Sequence, residues 1–107
     1  MKMRPEDCTS MTELRAVIDA LDGELVALLT RRAACIDRAI ALKPAEGLPA
    51  RIDDRVAEVI AKVRARAEAE GWDPDLAAEI WGRLIEWSIA REERVLGPSA
   101  PAAARRA

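Results

Sequence analysis

Histidine, phenylalanine and tyrosine are absent from the 107 residues of this chain, and cysteine appears only twice. Without histidine the commonest general base and metal ligand is missing, and Cys35 has no imidazole to activate it as a nucleophile. Cys8 and Cys35 make neither a disulfide framework nor a metal-ligand cluster. No Gly-rich phosphate loop and no G-x-S-x-G motif occurs. No run of apolar residues is long enough to span a bilayer. The first residues, Met1 to Asp7, lack the apolar segment a secretory signal needs, so a cytoplasmic protein is expected. A net charge of −2 offers no field for nucleic acid or an anionic membrane. An enzyme built from this inventory works by positioning and electrostatics rather than by proton shuttling or a nucleophile.

Alanine, leucine, glutamate and arginine dominate instead, which favours helix throughout. Ser10-Met11-Thr12-Glu13 forms a capping box, so a first helix is expected from Met11 to Lys43, ended by Pro44. At about 1.5 Å per residue it would be roughly 50 Å long, whereas a compact monomer of this size is only some 26 Å across. Another copy of the chain is then the expected cover, in an interleaved homodimer. Pro44–Ala50 reads as a short loop. A second helix is expected from Ile52 to Glu70, with Ile52, Val56, Val59 and Val63 inward and Gly71 as its stop. Asp73 and Pro74 open a third, whose adjoining rows carry Ala77, Trp81, Leu84 and Ser88 beside Ile85, Ile89 and Leu96. The expected organisation is an extension over residues 1–10, an all-α domain over 11–96, and a disordered tail over 97–107.

Within the first helix one stripe stands out: Leu14, Ile18, Leu21, Leu25, Leu28, then Cys35 and Ala39. Its remaining slots hold Arg32, between Leu28 and Cys35, and Lys43, after Ala39. Cations on an inner face are costly unless anions meet them. Either acidic side chains pair with them, or the core holds a small anion. Glu92 borders the apolar face of the third helix with Ser88, and Arg55 stands beside Val56 and Val59 on the second. A buried ion-pair network is the plain alternative, with Glu92 neutralising Arg32. Arg15 lies about 100° around the helix from Arg32 and is expected to serve a second site. Cys35 reads as a small core residue, Trp81 and Trp87 as core or interface anchors, and Glu13, Asp19, Asp22 and Glu24 as a solvated face.

These residues resemble the all-helical chorismate mutases and, within them, the bacterial isochorismate-pyruvate lyases of salicylate and siderophore pathways. The resemblance covers roughly Pro5 to Leu96. It rests on Pro5-Glu6-Asp7-Cys8-Thr9, Leu14-Arg15-x-x-Ile18-Asp19-x-x-Asp22, Leu29-Thr30-Arg31-Arg32, Lys43, Arg55-Val56 and Trp87-Ser88-Ile89-Ala90. It implies a three-helix chain in an intertwined homodimer with two equivalent sites, a small dicarboxylate substrate, and neither cofactor nor metal. It further implies that Arg32 and Arg55, with Arg15 of the second copy, clamp the carboxylates. Lys43 would donate to the ether oxygen of the breaking bond, and its place beside the Pro44–Ala50 loop leads to the expectation that this loop closes over the ligand. Glu92 joins Lys43 as a catalytic candidate: it is expected to be a protonated acid that donates to that oxygen, the alternative being an ionised counter-ion beside a cation.

Three positions discriminate between activities. Mutases of this fold usually carry Glu where Val56 stands, to hold the ring hydroxyl of chorismate; Val56 is lyase-like. Ser88 is mutase-like, where the lyase pattern has an aromatic residue, and Glu92 falls where many members have Gln. With the N-terminal Pro5-Glu6-Asp7-Cys8 and Val56 on that side, the first expectation is isochorismate-pyruvate lyase, with loss of pyruvate leaving salicylate. The second is a mutase acting on chorismate or an amino analogue, and the third is a non-catalytic helical dimer that binds a partner protein.

Overall fold

The computed structural model describes residues 4–99, and among these there are three α-helices, one short 3-10 turn and no strand. α1 runs Met11–Glu46, α2 Asp53–Glu70 and α3 Pro74–Leu96, after a 3-10 turn at Pro5–Asp7. The chain divides into two compact units, one ending at Cys35 and the other beginning at Ile36.

The first unit is a single helix behind its cap. Ser10 Oγ accepts from Glu13 N at 3.1 Å, as a capping box requires. The Glu13 carboxylate reaches back one residue further than expected, to Thr9 N at 3.1 Å and to the Thr9 hydroxyl. Glu13 is thus a cap rather than part of a solvated face. No residue of α1 is buried, and Ile18, Leu21, Leu25 and Leu28 of the apolar stripe are about half exposed. Cys35 is exposed as well, which corrects its placement in a core of this chain. The Cys8 thiol is pushed up from its ordinary value by desolvation and by the carboxylates of Glu13, Asp7 and Glu6.

The second unit contains the end of α1 and the α2–α3 pair. Pro44 lies inside α1, and the helix continues to Glu46 instead of stopping at Lys43. The reason is the terminus that follows. Gly47 takes φ 68°, Gly47 N donates to Pro44 O at 3.1 Å, and Leu48 N donates to Lys43 O at 3.0 Å. These two bonds are a Schellman closure, and they offset the one N–H that proline removes. The same device ends α2, where Gly71 has φ 72° and Trp72 N donates to Ala67 O at 2.8 Å. α3 starts as the sequence predicts, with the Asp73 carboxylate accepting from Asp75 N and Leu76 N behind Pro74.

A three-residue turn makes α2 and α3 antiparallel neighbours. Ala50, Ile85 and Ile89 form the buried cluster, with Val56, Val59, Ile60 and Leu96 packed against it. Burying a side chain such as Ile85 or Ile89 contributes about 1.5–3 kcal/mol. Ile60 lies outside the predicted inner row of α2; it and Val56 are one turn apart. At the turn end, Ala67 and Ala77 are buried and an apolar cavity of about 190 Å³ opens beside Val63, Trp72 and Trp81. Trp87 is exposed, with the Arg91 guanidinium 5.5 Å over its ring. The tail expectation for residues 100–107 lies outside the described residues. Ser99 is hydrogen-bonded at both its N–H and its hydroxyl.

Candidate functional site

The open end of the α2–α3 pair carries the site. One turn after Ile89 and two after Ile85, the rise of α3 brings Glu92 to the boundary of the apolar cluster, where its side chain is 6% exposed. Lys43 of α1 meets it, with Nζ 2.7 Å from Glu92 Oε1 and a side chain 16% exposed. Lys43 Nζ also donates to the carbonyl oxygen of Ala50 at 2.8 Å. The inner cation at position 43 is therefore met by an acidic side chain, one of the two outcomes open from sequence. Glu92 pairs with Lys43, and the arrangement is that of a counter-ion.

The pair has an unusual detail. Glu92 Oε1 is fully buried, and its close contact with Nζ falls outside hydrogen-bond angles, so the oxygen has charge compensation but no hydrogen bond. A lysine ammonium has three protons. One is taken by Ala50 O, and the carboxylate holds the charge without taking a second in good alignment. Donor capacity is left on Nζ at the edge of an apolar cluster, where an acceptor on a ligand would gain most from it.

Ser88 is buried one turn before Glu92, and its hydroxyl donates to Leu84 O at 2.8 Å. Val56 is half-buried against the Ala50–Ile85–Ile89 cluster and presents methyl groups there. Arg55, its neighbour, does not lie on the inner face. Its side chain is 60% exposed and forms an ion pair with Glu58 one turn on, which holds the Glu58 carboxyl below the usual carboxylate range. A ligand carboxylate would have to draw Arg55 away from Glu58. Arg15 and Arg32 belong to the other unit; Arg15 is exposed and Arg32 half-buried.

Long-range polar ties that helical periodicity does not encode surround Lys43 and Glu92. Arg91 forks onto Asp37 at 2.6 and 3.2 Å, joining α3 to α1 and lowering the Asp37 carboxyl below its ordinary range. Arg51 forks onto Glu86 at 3.0 and 2.5 Å and lowers that carboxyl likewise. Candidate signals existed only as charges of opposite sign, without a spacing to pair them. Among the described residues no group of three or more His, Cys, Asp or Glu could hold a metal ion, and no helix is long and apolar enough to cross a membrane.

The family model for chorismate mutase type II matches residues 14–93. The isochorismate pyruvate lyase of Pseudomonas aeruginosa is 33% identical over 89 residues, 82% of this chain and 86% of that protein. The T-protein of Enterobacter agglomerans is 34% identical over 82 residues, which are 77% of this chain and 22% of that protein. The T-protein of Haemophilus influenzae is 29% identical over 85 residues, again 22% of its length. No solved structure matches the chain.

Proposed function

Since the chain belongs to the chorismate mutase type II family, whose relatives here are catalytic, we propose that it is an isochorismate-pyruvate lyase. The observation that carries this reading is Val56, which offers only methyl groups to the apolar cluster where a mutase would need a carboxylate for the hydroxyl of chorismate. The extent of the likeness to the Pseudomonas aeruginosa lyase, across 86% of that protein, supports it.

The reaction is a concerted elimination. A ring hydrogen moves to the methylene of the enolpyruvyl group, the carbon–oxygen ether bond breaks, and the products are salicylate and pyruvate. No external base is required, which suits a chain without histidine. Lys43 donates a hydrogen bond from a free N–H to the ether oxygen as charge develops there, a contact stronger in the transition state than before it. Glu92 holds Lys43 in place. Arg32 and Arg55 hold the two carboxylates, with Arg15 arriving from a second copy. That copy also covers the exposed stripe of α1, so the active species is a homodimer.

Buried Ser88, small and polar where the lyase pattern has an aromatic residue, favours a second reading as chorismate mutase. Incubation of the pure protein with isochorismate and, separately, with chorismate separates the two. Salicylate and pyruvate from isochorismate are expected; a prephenate-type product from chorismate, with isochorismate untouched, would overturn the lyase reading.

A further inference from the structure

The loop between α1 and α2 touches the site through its backbone, and it is the carbonyl of Ala50 that holds Lys43 Nζ at 2.8 Å. What fixes that carbonyl is the next residue. Arg51 N donates to Ser99 Oγ at 2.9 Å, and the Arg51 guanidinium forks onto Glu86 of α3. Ser99 is held in turn, its N–H donating to Glu93 Oε2 at 3.0 Å, which lowers the Glu93 carboxyl below its usual range. Ala50 itself is 4% exposed and packed with Ile85 and Ile89. The segment after α3 thus closes onto the loop by a serine hydroxyl, one residue away from the carbonyl that aims Lys43.

We infer that Arg51 and Ser99 are positioning residues for Lys43, a clasp through which Glu86 and Glu93 of α3 fix the Ala50 carbonyl. The inference rests on the reading of Lys43 as the donor to the substrate. The physical argument is one of donor geometry. Glu92 compensates the charge of Lys43 but does not align a hydrogen bond with it, so direction comes from Ala50 O. If the loop backbone drifts, Nζ keeps its charge partner and loses its aim. A loss of aim slows turnover more than it weakens binding, because the aligned contact is worth most as the bond breaks.

The test uses the full chain and two independent readouts. Ser99→Ala removes the hydroxyl that accepts from Arg51 N, Glu86→Ala frees the guanidinium, and Ser99→Thr keeps a hydroxyl in place. Acetylation by an N-hydroxysuccinimide ester, read by mass spectrometry, reports the freedom of the Lys43 amine against Lys62, whose side chain is 70% exposed. Both alanine variants are expected to raise Lys43 acetylation relative to Lys62 severalfold. They are expected to lower kcat about tenfold with KM near that of the wild type. Ser99→Thr should restore both, and circular dichroism should show wild-type helix content throughout. Unchanged Lys43 labelling in both alanine variants would overturn the inference, whatever happens to kcat. Labelling that responds in a protein whose wild type acts on neither isochorismate nor chorismate would leave the clasp standing and sink the assigned reaction instead.

Discussion

Lys43 and Glu92 approach to 2.7 Å across the interface of α1 and α3, yet the buried Oε1 of Glu92 has no aligned hydrogen bond. The pair therefore combines full charge compensation with incomplete hydrogen bonding. A buried ion pair is weak grounds for stability, since desolvation opposes the Coulombic gain. Its strength is in what happens when one member is taken away.

Glu92→Gln is predicted to destabilise the fold by about 1–3 kcal/mol, because an amide oxygen can still accept from the largely buried ammonium but cannot compensate its charge. Lys43→Ala strands the carboxylate instead, so it too is expected to lower stability. The same substitution should reduce kcat by roughly 10–150-fold with little change in KM, the loss of one charge-assisted donor in the transition state. The double variant Lys43→Met with Glu92→Leu should recover stability and remain inactive. Thermal melts and steady-state kinetics check all three. A Lys43→Ala enzyme that loses affinity but keeps its turnover would make Lys43 a clamp only.

Val56→Glu is predicted to shift preference from isochorismate toward chorismate. A carboxylate at this point could meet the chorismate hydroxyl, whereas isochorismate would leave it unpaired against the Ala50–Ile85–Ile89 cluster. The ratio of kcat/KM for the two substrates is the readout. A ratio equal to that of the wild type would remove the chief support for the lyase assignment.

The exposed stripe of Ile18, Leu21, Leu25 and Leu28 leads to a prediction about assembly. A lone amphipathic helix gains little from its own propensities, so its order depends on a covering surface. The protein is expected to sediment as a dimer at micromolar concentration, and its melting temperature should rise with concentration. A well-folded monomer under those conditions would refute this, along with the role given to Arg15.

Acid should loosen the α1–α3 and loop–α3 ties before it touches the apolar cluster. Asp37, Glu86 and Glu93 titrate below their ordinary range in the folded state, through Arg91, Arg51 and Ser99 respectively. A depressed folded-state value means that the stabilisation is fully present above the unfolded carboxylate range and is lost as pH falls through the lowered values. Stability should therefore change little from pH 7 to about 5 on their account and decline below about 4. Asp37→Asn should show a shallower acid decline than the wild type. Since these pairs are solvent-accessible, added salt should lessen the effect. Urea melts across pH, at low and high ionic strength, provide the measurement.

Helix ends were the most legible part of the sequence, because caps are local. Ser10 with Glu13, Gly71, and Asp73 with Pro74 each act within one turn, and each falls where its residue type implies. Pro44 misleads for the same reason: its own cost is local, but the Gly47 closure three residues on outweighs it. The inner placement of Lys43 and Glu92 was legible from the stripes, though the ion-pair alternative named Arg32 as the partner of Glu92 where the structure has Lys43. The Arg55–Glu58 pair was not legible, because position on a helix face does not say which neighbour a long flexible side chain will meet. The Arg51–Ser99 contact spans 48 positions and involves a backbone N–H, so no periodicity could announce it.

The Lys43–Ala50 contact has a consequence for how such proteins diverge. Because the acceptor is a main-chain carbonyl, the residue at position 50 is constrained by volume and not by chemistry, its side chain being 4% exposed against Ile85 and Ile89. Glycine or serine there would keep the acceptor, while a branched side chain would displace the loop. Pairwise covariation between positions 43 and 50 should accordingly be faint, even though one aims the other. The covariation signal of this tether should appear instead between 51 and 86, where two side chains must match in charge.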